Sequence, residues 1–149
     1  MLLPIQRVVG MPEQGGALRL ICFRVGHDLY GVDIMRAREV IPFKKDVLIS
    51  VATSQGGLVT VRGAIMPLYN LREQFGYVSL PEEGDGCLVI VRVRGQDRAL
   101  LVDRPDRVRS MNPDDATRVP DELLGLPLLA LVVVDGQVLR LVDIDGLVT

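Results

Sequence analysis

The sequence is poor in the residue types on which most catalytic, metal and disulfide chemistry depends. It has no tryptophan, one histidine and two cysteines, and aromatic residues make up 4% of the chain. The histidine, His27, lies in a predicted turn without a sequence-local nucleophile or metal ligand, so we predict no catalytic centre, no metal site and no cofactor. Cys22 and Cys87 lie in apolar runs, which favours buried free thiols over a disulfide.

The charge and the hydrophobicity of the chain argue against further classes of protein. The formal net charge is −2, which argues against nucleic acid as a partner because phosphate binding needs an excess of basic residues. No apolar run approaches the ~18 residues that span a membrane, and residues Met1 to Arg7 lack the features of a secretory signal. We therefore expect a cytoplasmic protein that does not insert into the membrane.

The spacing of apolar residues predicts an all-β protein. A length of 149 residues fits one domain. Residues 1–17 end in a cluster of proline and glycine and are predicted to form a flexible arm, so the folded domain is expected at residues 18–149. About nine or ten short apolar runs separated by turn residues are typical of a sandwich or a barrel. The clearest hairpin joins Leu128–Val134 to Val138–Val142 through Asp135-Gly136.

The same pattern predicts how the strands are grouped and where they are interrupted. The acidic loop at residues 80–86 separates two similar sets, and five strands each would suit two small closed barrels without free edges. Asn70 is a suitable N-cap for a short helix at Leu71–Phe75. Residues 34–41 fit either a short helical turn or a bent strand. Gly63 is expected to be a break or a bulge between two strands.

Two ionic residues in these strand-like segments are not explained by apolar patterning. Glu39 precedes the apolar pair Val40-Ile41, and Arg62 follows Val61. A charge in such a segment is costly unless it is paired or lies at a surface. Both residues are compatible with plain surface charges, with a cross-strand ion pair, or with a binding patch for a partner. The mixed charges of residues 103–109 are typical of a solvated face, although alternating signs would also suit a recognition surface.

Several blocks occur in an order that is characteristic of one protein family. These blocks are Leu18–Val25, Leu29–Ile34, Arg38–Ile41, Gly57, Val61–Leu68, Asn70–Arg72, Phe75, Leu101–Asp103 and Val138–Val148. With them the chain resembles the CheW-like domain of bacterial chemotaxis scaffolds over most of residues 18–148. The block with Arg62-Gly63 followed by Pro67 is its most specific part.

The resemblance implies a fold, an activity and a set of contact residues. The fold is all-β, with two five-stranded SH3-like barrels packed side by side and short helical turns. The activity is that of a non-catalytic adaptor in chemotaxis or related motility signalling. It couples the cytoplasmic tip of methyl-accepting chemoreceptors to the regulatory domain of a CheA-type histidine kinase. Glu39, Gly57 and Arg62 match family positions for receptor or kinase contact, and Val40 and Gly63 adjoin them.

Such a protein is cytoplasmic and is recruited to receptor arrays at the inner face of the membrane; self-association stays open. The sequence departs from the family pattern mainly in its second half. Arg104-Pro105 replaces a small and an apolar residue, and because proline has no N–H, the strand there is expected to be broken or at a sheet edge. These departures also fit a specialised relative that serves pili or gliding.

The alternative to a chemotaxis adaptor is a structural or oligomerising β-barrel module outside chemotaxis. Exposed barrel edges and grooves bind strands or helices of many partners, so the fold class alone does not separate these two functions.

Overall fold

The computed structural model describes residues 16–53, 56–77 and 86–148, in which β-strands are the main secondary structure. The predicted arm, apart from Gly16 and Ala17, and the acidic loop, apart from Gly86, lie outside the described residues. The strands are Leu18–Val25 (β1), Asp28–Asp33 (β2), Ala37–Pro42 (β3), Leu48–Thr53 (β4), Gly56–Val61 (β5), Ala64–Asn70 (β6), Cys87–Val93 (β7), Gln96–Val102 (β8), Arg104–Pro105 (β9), Arg109–Met111 (β10), Leu128–Val134 (β11) and Gln137–Val142 (β12). Two short helices, Leu71–Gln74 (α1) and Ile144–Leu147 (α2), interrupt them.

These strands form two six-stranded sheets, and each sheet builds one lobe. The first lobe has the order β10-β1-β2-β12-β11, with β9 paired to β1, and the second has β3-β7-β8-β6-β5-β4. In each lobe two antiparallel hairpins are joined by one parallel pair, β2 with β12 and β6 with β8. The predicted class, all-β with two SH3-like barrels, is confirmed. The strands beyond the predicted number are β3, from the ambiguous segment, and the two-residue β9.

The predicted division of the strands at residues 80–86 is wrong. The second lobe takes strands from both sides of that loop. β3 lies before the loop and β8 after it, and both pair with β7. The first lobe is completed by β9–β12, which return to pair with β1 and β2. Strand pairing joins residues far apart in sequence, and an apolar run does not specify its partner.

The seam between the lobes explains the long apolar runs. In β1, Leu20 and Cys22 point into the core of the first lobe, whereas Phe23 and Val25 point into a shared core between the lobes. In the same way, alternate residues of β7 line the second-lobe core and the shared core. A strand that is buried on both faces has no polar face, so its sequence is continuously apolar rather than alternating.

Several local predictions are confirmed by the structure. The side chain of Asn70 caps α1 by accepting a hydrogen bond of 3.0 Å from the backbone N of Arg72. Pro105 lies in β9, which is two residues long and pairs with β1 in the described part of the sheet. Cys22 and Cys87 are free and buried, and burial raises the pKa of each thiol to about 11.

Candidate functional site

Arg62 and Gly63 form the tip of the β5–β6 hairpin. The register pairs Val61 with Ala64, which leaves a two-residue turn with φ angles of 52° at Arg62 and 81° at Gly63. A two-residue turn with positive φ at both positions is the type I′ turn, which matches the twist of the flanking strands. Of the two expectations for Gly63, the break between two strands is confirmed and the bulge is wrong, because Gly63 lies in the turn and the register of the two strands is regular. Glycine suits this position because the left-handed conformation carries no Cβ penalty there.

The side chain of Arg62 forms an ion pair with Glu39, as one of the sequence hypotheses proposed. Arg62 Nη1 donates a hydrogen bond to Glu39 Oε1, which is carried by β3. In the sheet order, three strands lie between β3 and β5, so this contact shows that the sheet curls until distant strands meet. The Arg62 side chain is 71% exposed and that of Glu39 is 26% exposed. An exposed pair of this kind contributes only about 0–1 kcal/mol to stability.

The other predicted site residues are placed differently. Val40 follows Glu39 in β3 and is exposed on the opposite face of that strand from half-buried Glu39. Gly57 pairs with Leu68 at the far end of the hairpin, which at a strand rise of ~3.3 Å per residue is roughly 16 Å from Arg62. The structure therefore brings Glu39, Arg62 and Gly63 together, and separates Gly57 from them.

Two apolar residues that the sequence did not single out lie on the strands of this hairpin, Ile65 two residues after Gly63 and Leu58 four residues before Arg62. Ile65 is 66% exposed and Leu58 is 40% exposed. They belong to the outer face of the β5–β6 hairpin, since Val59, Val61 and Met66 point into the core. Once the structure shows which residues of β5 and β6 point into the core, the alternation along each strand places Leu58 and Ile65 on the outer face. We call Glu39, Arg62, Gly63, Leu58 and Ile65 the hairpin patch.

The predicted solvated face at residues 103–109 is wrong for most of its charged residues. Arg109 is a buried charged residue whose side chain is 4% exposed. It donates hydrogen bonds to Asp106, at 3.1 and 2.7 Å, and to Asp135, at 2.8 Å. Arg24 Nε lies 3.4 Å from Asp106 Oδ2. Asp103 forms an ion pair with Arg72 of α1. Alternating positive and negative residues in a sequence do not show whether another strand packs against their side chains.

The pKa of Asp106 reflects this network. Burial acts to raise the pKa of the carboxyl group, but the hydrogen bond from Arg109 and the charges of Arg109 and Arg24 outweigh burial. The pKa is therefore lowered from its ordinary value of 3.8. A carboxylate with a lowered pKa in the folded state stabilises the fold above its unfolded pKa, and this stabilisation is lost as the pH falls through the folded pKa.

Asp106→Asn is expected to lower the free energy of unfolding at neutral pH by about 2 kcal/mol, since the hydrogen bonds to a charged partner are weakened. The variant should also lose less stability than the unchanged protein as the pH falls below 3.8, the ordinary pKa of this group. Urea unfolding at a series of pH values measures both effects. Asp114→Asn, on an exposed side chain, serves as the control. Equal acid dependence in the Asp106 variant and the unchanged protein would contradict the assigned network.

The described residues contain neither a cluster of metal-binding side chains nor a helix that could span a membrane. Across residues 16–53, 56–77 and 86–148, no three His, Cys, Asp or Glu side chains are grouped so that they could hold a metal ion. Within the same ranges, no helix is long and apolar enough to cross a membrane. The distinctive surface feature on the second lobe is the hairpin patch, with two paired charges beside exposed apolar side chains.

The fold defines a class of two-lobed β-barrel proteins. The chain matches the CheW-like domain family over residues 19–149 and belongs to that family. It is 29% identical over 125 residues to "Chemotaxis protein CheW" of Treponema pallidum, covering 80% of this chain and 74% of that protein. The protein of the same name from Klebsiella aerogenes is 23% identical over 135 residues, covering 87% and 80%.

A solved structure shares the fold. The crystal structure of the scaffolding protein TtCheW from Thermoanaerobacter tengcongensis matches with a TM-score of 0.71 at 23% identity. The match covers 85% of this chain and 89% of that one. The two-barrel architecture inferred from the sequence resemblance is therefore the architecture of the family.

Proposed function

We propose that this chain is a non-catalytic adaptor that couples chemoreceptors to a CheA-type histidine kinase in chemotaxis or a related motility pathway. Membership of the CheW-like domain family supports this proposal, as do relatives named as chemotaxis proteins and a structural neighbour named as a scaffolding protein. In this role the protein is cytoplasmic and is recruited to receptor arrays at the inner face of the membrane.

The observation that carries the proposal is the ion pair of Arg62 with Glu39 at the tip of the β5–β6 hairpin. The left-handed φ of 52° at Arg62 does not distinguish it, because Arg94 has a φ of 51° at the same position of the β7–β8 turn. The ion pair adds little stability, because the arginine side chain is largely exposed. Two charges of opposite sign that contribute little to the fold, with exposed Ile65 on the adjoining strand, support a role in binding.

The chemistry of the hairpin patch suits a helical partner. Ile65 and Leu58 supply exposed apolar surface, and Arg62 and Glu39 supply charges of both signs beside it. An amphipathic helix places apolar and charged residues on adjacent strips of its surface, which fits such a patch. We propose that Glu39, Val40, Gly57, Arg62 and Gly63 contact the cytoplasmic tip of the receptor or the regulatory domain of the kinase. Because Gly57 lies apart from the tip, the contact surface extends along the whole hairpin.

The proposal is tested by binding of the purified chain to two purified partners from its own organism. These are a cytoplasmic fragment of a chemoreceptor and the regulatory domain of a CheA-type kinase. We expect each to bind alone and all three to co-elute in gel filtration. If neither partner binds, the adaptor function is wrong, and a structural module outside chemotaxis becomes the better assignment.

A further inference from the structure

Three polar links join the two lobes, and the first lies where the chain passes from β2 to β3. Arg36, in that connection, donates hydrogen bonds of 3.3 and 2.8 Å to the two carboxylate oxygens of Asp145 in α2. Its Nε also donates to the backbone oxygen of Arg92 in β7, at 3.3 Å. One guanidinium thus contacts both lobes at the point where the chain crosses between them.

The second link lies where the chain returns from β8 to β9. Asp103, in that connection, accepts hydrogen bonds from Arg72 Nε at 2.9 Å and from Arg72 Nη2 at 2.6 Å. Its Oδ2 also accepts a hydrogen bond of 2.7 Å from the backbone N of Gly26 in the β1–β2 turn. Since Arg72 belongs to the second lobe and Gly26 to the first, one carboxylate holds both.

The third link is the hydroxyl group of Tyr77, which follows α1 in the second lobe. It donates to Asp28 of β2, lies 2.8 Å from the hydroxyl of Tyr30, and accepts from Arg140 Nη1 at 3.2 Å. Burial, followed by the hydrogen bond to Asp28, raises the pKa of Tyr77, so the phenol stays protonated and keeps this donor role. Gly26 packs against the aromatic ring of Tyr77.

The polar links and the apolar seam contribute different things to the arrangement of the lobes. The shared core includes Phe23, Tyr30, Phe75, Val89 and Leu100, and burial of its apolar surface favours contact between the lobes whatever their exact rotation, because the hydrophobic effect is not directional. Hydrogen bonds and bidentate arginine–carboxylate pairs are directional. Two of the links lie at the chain crossings, where small changes of backbone direction change the angle between the lobes most.

We propose that Arg36, Asp103 and Tyr77 are positioning residues that fix the angle between the lobes and so hold the hairpin patch at a set orientation to the first lobe. The consequence for partner assembly rests on the proposed adaptor function, whereas the fixed angle itself does not. If one partner binds the hairpin patch and the other binds the first lobe, the complex loses less entropy on assembly when the two lobes are already oriented.

The angle is measured by the distance between spin labels placed on the two lobes. Val133→Cys and Ile65→Cys provide the labelling sites, since both side chains are 66% exposed. The native cysteines are buried, which keeps the label off them. In the double variant Tyr77→Phe with Asp103→Asn, we expect the distance distribution to widen by about twofold, because directional contacts are lost while the apolar seam remains.

Matched controls remove similar groups that act within one lobe. Tyr69→Phe removes a hydroxyl that accepts from Arg98, and Asp97→Asn weakens a pair with Arg92; both are expected to leave the distribution unchanged. Tyr77→Phe alone should widen it in the same sense by a smaller amount, and it keeps the proposal testable if the double variant does not fold. An unchanged distribution in a folded Tyr77→Phe protein, or equal widening in the controls, overturns the proposal.

A binding measurement separates this inference from the proposed function. We expect the Tyr77→Phe with Asp103→Asn variant to bind the receptor fragment alone with unchanged affinity, but to form the three-component complex about tenfold more weakly. If the unchanged protein binds no partner, the adaptor function fails while the label distances still decide the role of the links. Unchanged assembly despite a widened distribution would leave these residues their role in fixing the angle and overturn its consequence for partner assembly.

Discussion

Arg62→Glu is expected to abolish binding of the receptor or kinase fragment while the protein stays folded. The substitution places a second carboxylate beside Glu39, in a patch where the arginine guanidinium supplies the positive charge. Charge reversal within a small recognition patch typically lowers affinity by on the order of 100-fold or more. The unfolding free energy should fall by only about 1–2 kcal/mol, because the lost pair is largely exposed. Titration calorimetry and thermal unfolding measure the two quantities.

Two further variants separate the charge of Arg62 from the shape of its turn. Arg62→Asn removes the charge but suits a left-handed position in a type I′ turn, so we expect unchanged or higher stability and weakened binding. Arg94→Glu is the matched control, because Arg94 occupies the equivalent position of the β7–β8 turn with a φ of 51°. Loss of binding in Arg94→Glu as well would show a general charge effect, and full binding by Arg62→Glu would remove the hairpin patch as a contact site.

Gly26→Ala is expected to cause a large loss of stability, because it adds a methyl group at a crowded left-handed position of the seam. Gly26 has a φ of 63°, and a Cβ atom there would lie 2.8 Å from Cε2 of Tyr77. The tyrosine ring has little freedom to move, since its hydroxyl contacts Asp28, Tyr30 and Arg140. The left-handed conformation costs alanine about 1–2 kcal/mol, and overpacking adds about 1–3 kcal/mol. Chemical denaturation should therefore show a total loss of roughly 2–5 kcal/mol.

The steric part of this effect has its own control. Gly95 has a φ of 79°, and a Cβ atom at that position would meet no neighbouring atom within 4 Å. Gly95→Ala should therefore cost only the conformational term of about 1–2 kcal/mol. In a double-mutant cycle, Tyr77→Ala should cancel the steric cost of Gly26→Ala. Equal losses in Gly26→Ala and Gly95→Ala would mean that the ring moves aside freely.

The candidate site was found in the sequence for a reason that the structure modifies. Glu39 and Arg62 stood out because apolar patterning did not account for them, and the structure brings them together. The sequence suggested a strand position for Arg62, whereas the register places it in a turn. The apolar part of the patch, Leu58 and Ile65, was missed because exposed and core-facing apolar residues look alike until the inward face of a strand is known.

The seam was the part of the molecule least accessible to sequence analysis. Asp103 and Arg72 are 31 residues apart, and Tyr77 and Asp28 are 49 apart. Each of these residues also fits a plain surface charge or a partly buried aromatic residue. The pairing of β1 and β2 with strands from the end of the chain separates the lobes differently from the predicted division, and it brings these residues within hydrogen-bonding distance.

The sequence by itself determined the elements whose causes are local. Short apolar runs between turn residues specify the strands, Asp135-Gly136 specifies a hairpin, and Asn70 caps a short helix, because each depends on a few neighbouring residues. Only the tertiary structure decided which strands share a lobe, where Arg62 lies, and which charges are paired. Those outcomes depend on contacts between residues that are distant in the chain. The free energy of such contacts depends on tertiary packing, which a local sequence pattern does not specify.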